Sequence, residues 1–236
     1  MLNLIKAYAD QIKIESRPRN FFYISDLGKC ERQTIYRFTD LPKKEISPFQ
    51  IDMMNEGTEK HDKVYEYWMK SDLAIIATEL SLNPWLPPAW HGRTDVLAQE
   101  EDSSFAIIDV KSLRANAFKY ELPKSDHKLP LLGYILGATK MLGAIPRAYL
   151  YYCDRDGSNT PQQYYFDFTP KDLDTIAEIM TTYELNLELY QTEGILPPFL
   201  TPLPKKIKGK MVMCVPWQCD YCDYEGVTCR IKEDLL

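Results

Sequence analysis

The stretch that most constrains this chain is HGRTDVLAQEEDSSFAIIDVKS, residues 91 to 112, in which two apolar runs of strand length are joined by an acidic turn. Side chains two apart on a strand share a face. Asp109 and Lys111 therefore point together, with Ile107, while Ile108 and Val110 fill the opposite side. Asp95, on the preceding antiparallel run, can lie beside them. Burying two carboxylates against one ammonium is costly unless something compensates the charge. A divalent cation does so: Asp95, Asp109, a backbone carbonyl such as that of Val110, and water make a hard oxygen set that suits Mg2+ or Mn2+, and Lys111 can hold or activate an attacking water. An exposed Asp/Lys pair on an edge strand explains the same triplet without chemistry.

The elements around this pair read as a mixed α/β chain. Residues 2 to 14 suggest a first helix, and SDLGKCERQTIYRF opens with Ser25 as N-cap of a second, which carries Cys30. From 50 to 70, Ile51, Met54, Thr58, His61, Val64, Tyr65 and Trp68 recur at three- and four-residue intervals, one helical face turned inward. His61 lies on that face. If the helix packs over the sheet, His61 adds a nitrogen ligand and shifts the preference toward Mn2+; a hydrogen-bonded core histidine is the alternative. Strand-like runs at 73 to 82, 90 to 99 and 105 to 113 form a meander, followed by a helix at about 126 to 143, strands RAYLYYCD and QQYYFDFT, and an amphipathic helix from roughly 170 to 191. The proline- and lysine-rich stretch 193 to 210 reads as an irregular connector.

Composition narrows the class. At 236 residues, 45% hydrophobic and 26% charged, the chain has the make-up of a globular protein. Its longest apolar stretch, LLGYILGA, is too short to cross a bilayer, and Lys6 and Asp10 interrupt the first segment where a signal peptide would be apolar; a cytoplasmic protein without membrane partners is expected. The net charge of -6 excludes bulk attraction to nucleic acid, so a nucleic-acid partner would need local basic patches, of which PKKIKGK at 204 to 210 is one. In a reducing compartment the six cysteines are metal ligands or buried thiols rather than disulfides. Cys30 and Cys153 stand apart, and four crowd into CVPWQCDYCDYEGVTC, where Cys219, Cys222 and Cys229 form C-x2-C-x6-C. Cys153 and Cys214 are assigned as packing thiols, although Cys214 could replace a neighbouring ligand.

The order of these features resembles the PD-(D/E)xK nuclease core of the RecB type. More narrowly it is similar to the iron-sulfur branch that includes the CRISPR-associated Cas-four exonucleases, the AddB nuclease domain and stand-alone phage relatives. ISDLGKCERQTIYR resembles the segment with that branch's first cluster cysteine, NEGTEKHDKV its histidine helix, HGRTDVL and IIDVKS its metal-binding and acid-x-Lys motifs, and CDYCDYEGVTC its terminal cysteine triplet. The resemblance implies a restriction-endonuclease-like α/β fold, a mixed central sheet flanked by helices, with an iron-sulfur clip. Residues 1 to 50, 51 to 192 and 193 to 236 would be the N-terminal region, nuclease core and cysteine-rich end of one composite domain. It also implies a Mg2+- or Mn2+-dependent deoxyribonuclease acting 5' to 3' on single-stranded DNA or free ends, with recombination or CRISPR adaptation proteins as partners.

On that resemblance His61, Asp95, Asp109 and the Val110 carbonyl bind metal, Lys111 and Tyr134 serve catalysis, and Cys30, Cys219, Cys222 and Cys229 ligate a 4Fe-4S cluster. Zinc is the rival, but zinc modules place their knuckles close in sequence, whereas here one ligand comes from Cys30 and three from the far end. Glu79 is either an added ligand or a surface acid. Arg93, Arg114, Lys119, Lys124 and Lys128 flank the site and are candidate phosphate contacts, and Tyr36, Trp217 and Tyr221 are candidates for base stacking or for packing at the cluster. The sequence departs from the family at Thr94, where proline is common, and at Pro130, where a Q-x-x-x-Y motif ending at Tyr134 would place glutamine. Pro130 has no side chain to contact substrate and is expected to start the helix instead.

Overall fold

The runs with period-two alternation become strands and those with helical spacing become helices. The computed structural model describes residues 18–45, 47–198, 200, 203–207, 210–214 and 216–229. Its strands and α-helices are β1 (Phe22–Tyr23), α1 (Glu31–Tyr36), α2 (Pro48–Met69), β2 (Ala74–Ser81), β3 (Trp90–His91), β4 (Arg93–Gln99), β5 (Phe105–Leu113), α3 (Ser125–Leu142), β6 (Arg147–Asp154), β7 (Gln162–Phe166), α4 (Pro170–Glu193), β8 (Leu203–Ile207) and β9 (Lys210–Cys214). They divide into two compact units, one of residues 21–28 and 52–181, the other of the described residues within 18–20, 29–51 and 182–229.

The first unit holds a five-stranded mixed sheet in the order β2-β4-β5-β6-β7, antiparallel except for the β5/β6 pair. The parallel step needs a crossover, and α3 supplies it between β5 and β6. Even-numbered side chains Val96, Ala98 and Val110 pack on Val64 and Tyr65 of α2, with Cys153 in the same cluster. The opposite face, which carries Asp109 and Lys111 of β5 and Tyr152 of β6, meets α3, where His127 reaches the Tyr152 hydroxyl. A mixed sheet with a helix on each face is compatible with a restriction-endonuclease-like core. None of the described helices is long and apolar enough to cross a membrane.

The expected strand over 90 to 99 is two strands. Trp90 and His91 pair in parallel with β1, and β4 begins after Gly92. A Cβ at Gly92 would lie 2.6 Å from Cγ1 of Ile24 and 3.0 Å from Cδ1 of Leu86, so the chain turns there against a neighbour that admits no side chain.

The second unit contains α1 and the cysteine-rich segment. Two expectations change here. Cys30 does not sit on a helix: Gly28 adopts φ 80°, the left-handed region that interrupts helical continuation, and Cys30 takes the N-cap position of α1 with extended backbone. The stretch read as an irregular connector contains the β8/β9 hairpin, in which Pro204 is accommodated because each strand of a two-stranded ribbon keeps an unpaired edge. The expected helix at 2 to 14 lies outside the described residues.

Candidate active site

Antiparallel pairing between β4 and β5 runs up to Val96 and Ile108 and then stops. Where the next rung would form, the Val110 N–H donates instead to Oδ2 of Asp95 at 2.6 Å. A residue's N–H and C=O leave a strand on the same side, so the Val110 carbonyl faces the same opening. Asp95, Asp109 and Lys111 share the face opposite Val96 and Val110, as their alternation requires. Asp109 is 1% exposed, with Lys111 Nζ donating to its Oδ1 at 2.8 Å and lying 2.7 Å from its Oδ2. That second contact is electrostatic only: Oδ2 is buried and has no hydrogen-bond donor of proper geometry.

Asp95 and Asp109 lie within hydrogen-bond reach of each other, and their charges repel. Burial, followed by Asp95, pushes the Asp109 carboxyl up to about 6 despite the opposing pull of Lys111. Burial also raises Asp95, against the pull of Lys111 and the Val110 N–H. Lys111 is itself held protonated above its ordinary range: burial would lower it, but Asp109 and Asp95 outweigh that cost. Two carboxyls and one ammonium therefore leave one negative charge uncompensated in a poorly solvated place. Among the described residues no three His, Cys, Asp or Glu side chains close around a common point tightly enough to hold a metal as they stand. The donor chemistry nevertheless fits a hard cation, since a buried carboxylate oxygen without a hydrogen bond, beside a second carboxylate, is what such an ion satisfies.

His61, Glu79, Arg93, Asp95 and Tyr134 line one cleft of about 510 Å³. Gly57, one turn before His61, faces β5, where a Cβ would meet the Ser112 hydroxyl at 3.4 Å, an ordinary contact. Tyr65, expected as core, packs its ring in the core cluster while its hydroxyl reaches the site. It donates to Oε1 of Glu79 at 3.1 Å and lies 3.4 Å from Nδ1 of His61. Glu79 has φ 53°, a left-handed backbone uncommon outside glycine and a mark of local strain. Its other carboxylate oxygen pairs with Nε of Arg93, so this expected phosphate contact is an ion-pair partner of Glu79. Burial, then Lys111, lowers the His61 pKa and favours the neutral ring that a metal ligand requires.

Helix α3 starts at Ser125, and Pro130 lies inside it rather than opening it, as the sequence had suggested. Pro130 has no N–H to donate to the Asp126 carbonyl one turn back. Tyr134, one turn on, is 8% exposed, and burial followed by Asp109 and Asp95 raises its hydroxyl pKa well above the ordinary value. A second histidine was not singled out from sequence. His127 Nδ1 lies 2.9 Å from the Tyr152 hydroxyl, which accepts from the Lys124 N–H at 3.1 Å. Burial, with repulsion from Lys111 and Lys124, drives His127 down to about 3 and keeps it neutral. Arg114, Lys119 and Lys128 do not line the cleft; Lys128 sits over the rings of Phe166 and Phe168 at 5.5 and 5.8 Å.

In the other unit, Cys30, Cys219, Cys222 and Cys229 line a single cavity of about 20 Å³, and none forms a disulfide. Burial, followed by Cys30, Cys222 and Cys229, pushes the Cys219 thiol up to about 11. A bound metal reverses that repulsion by taking thiolates as ligands, so the donor set fits one. Tyr36 is 4% exposed and packs on Cys222 and Tyr224, which leaves no face for a base. Cys153 packs in the core of the sheet unit. The side chains of Cys214, Trp217 and Tyr221 lie outside the described residues.

No family model matches the sequence, and no curated protein matches it. Among solved structures, the alkaline exonuclease LHK-Exo from Laribacter hongkongensis matches at a TM-score of 0.39, with 12% identity over 72% of this chain and 95% of that one. LHK-Exo in complex with dAMP matches at 0.42, with 14% identity over 73% and 96%. Scores this low carry no argument about the present chain. The crystal structure of SSO0001 matches at a TM-score of 0.53, with 18% identity over 97% of this chain and 95% of that one. The chain shares the fold of SSO0001 over nearly its whole length.

Proposed function

We propose that the chain is a metal-dependent deoxyribonuclease, an exonuclease that hydrolyses phosphodiester bonds at single-stranded DNA ends. The observation that carries this reading is the apposition of Asp95 and Asp109 beside Lys111 where β4 and β5 part, with one buried carboxylate oxygen lacking a hydrogen bond. Asp95, Asp109, the Val110 carbonyl and the neutral His61 would hold Mn2+ or Mg2+. When bound, the cation supplies positive charge against the scissile phosphate and makes a nearby water easier to deprotonate. Lys111 holds the attacking oxygen in line with phosphorus and stabilises the added negative charge as the water oxygen bonds to phosphorus and the bond to the leaving oxygen breaks. Tyr65 and Glu79 fix the His61 ring. The 5' to 3' direction, and a place among recombination, repair or CRISPR adaptation proteins, rest on the motif resemblance alone.

Cys30, Cys219, Cys222 and Cys229 are proposed to hold a 4Fe-4S cluster with a structural role. Their convergence on one cavity supports it. The tightness of that cavity, with room for about one water, favours a single zinc ion as the second reading. Iron and zinc content of anaerobically purified protein, with its charge-transfer absorbance, separates the two.

The test of the catalytic reading is end-labelled single- and double-stranded DNA incubated with Mn2+ and wild type, Asp109→Asn or Lys111→Met. Wild type should shorten single strands, and both variants should lose about a thousandfold or more in rate while melting cooperatively. Wild type inert in Mn2+ and Mg2+, with DNA binding intact, would reduce the chain to a binding module.

A further inference from the structure

The cleft lined by Asp95 and His61 has an aromatic wall that hydrolysis does not use. Strands β1 and β3 pair in parallel, Phe22 with Trp90 and Tyr23 with His91. Alternation sends Phe22 and Trp90 inward, where they stack at 4.9 Å, both 1% exposed or less. It sends Phe21, Tyr23 and His91 outward. The Phe21 ring lies on the His91 ring, centroids 3.8 Å apart and 16° from parallel, and Tyr23 meets the same imidazole edge-on at 6.2 Å. Phe21 and Tyr23 keep 38% and 41% of their surface exposed, and Tyr23 and His91 line the same cleft as His61 and Asp95.

We infer that Phe21, Tyr23 and His91 form a base-stacking subsite that holds an unpaired nucleobase next to the scissile phosphate. The inference rests on the nuclease reading of the cleft and names what grips the substrate there. Charge does not supply the grip. The cleft carries Asp62, Glu79 and Asp95, its Arg93 is already paired with Glu79, and the whole chain is at -6. A polyanion held against that field needs attraction that does not depend on phosphate. Exposed rings offer it, because every base has a π-face and stacking is indifferent to sequence. A duplex presents its bases already stacked and paired, so such a wall selects a frayed or single-stranded end and grips purines more than pyrimidines.

Fluorescence anisotropy with a labelled single-stranded oligonucleotide in EDTA tests binding apart from cleavage. Wild type, Tyr23→Ala, Tyr23→Trp and Phe21→Ala would be compared on an intact strand and on one carrying abasic positions at its end, with thermal melts confirming the fold. Tyr23→Ala should weaken binding of the intact strand about tenfold and Tyr23→Trp should restore it. Wild type should bind the abasic strand as weakly as Tyr23→Ala binds the intact one, and the variant should lose nothing more on the abasic strand. With Mn2+ added, KM should rise in Tyr23→Ala while kcat holds. Intact-strand binding within twofold of wild type in both alanine variants overturns the subsite, as does an equal loss on intact and abasic strands. Cleavage by wild type alongside either result leaves the nuclease reading standing; base-dependent binding without cleavage supports the subsite and sinks the nuclease.

Discussion

Asp109→Asn isolates the charge around which the site is built. In metal-free protein held in EDTA, the Asp109 carboxyl titrates near 6 against an ordinary 3.8, because burial outweighs Lys111. The unfolded chain releases this proton first. The stability the group confers is therefore complete below pH 3.8 and is lost as pH rises through 6. The displacement is worth about 3 kcal/mol, most of which falls between roughly pH 4 and pH 8. Asparagine does not titrate. The stability difference between wild type and variant should thus move by about 2 to 3 kcal/mol in the variant's favour across that interval, whatever constant offset follows from losing the Lys111 contact. Urea unfolding at a series of pH values, read by circular dichroism, measures it; taking the difference cancels His127 and the carboxyls remote from the site, while Asp95 and His61, which Asp109 itself shifts, titrate together with it. Excess Mn2+ at the alkaline end should reverse the order, stabilising wild type and leaving the variant where it was. A difference flat to within about 0.5 kcal/mol would mean that Asp109 is solvated and no cation is needed.

Tyr65→Phe removes the hydroxyl that joins His61 to Glu79; the Mn2+ concentration for half-maximal cleavage should rise about tenfold with little change in unfolding midpoint. Gly92→Ala puts a Cβ 2.6 Å from Ile24 at the entry to β4, and chemical denaturation should show a loss of about 1–3 kcal/mol together with lower activity. Cys219→Ser should lower metal content and melting temperature while the isolated Asp109 effect persists, since the two sets of residues belong to different compact units.

Legibility in the sequence followed how local each cause was. The alternation of Ile108, Asp109, Val110 and Lys111 gives β5 its two faces without outside information, and the spacing of His61, Val64 and Tyr65 likewise gives α2. The pairing of β4 with β5 follows from a short acidic turn. Less could be read where a second element decides. Glu79 stands opposite Asp95 only by the register of β2 on β4, and its left-handed backbone belongs to a strand whose register shifts between Ile75 and Ala77. Tyr65 looked like core because its ring is core; the polar tip becomes visible only once Glu79 is placed. Pro130 reads as a helix start by rule, yet a run of buried residues after it and the Ser125 to Leu129 turn before it carry the helix through. Tyr36 offered an aromatic face on paper that Tyr224 covers in the fold. Phe21 and Tyr23 passed unremarked because a two-residue strand leaves almost no periodicity to detect.

The most direct test of the account is to soak crystals in Mn2+ and record anomalous scattering at the manganese edge. A peak within coordination distance of the Asp95 and Asp109 carboxylates and the Val110 carbonyl, absent from Asp109→Asn crystals, is the expected result. Occupied manganese elsewhere on the protein with nothing between those two carboxylates would contradict it.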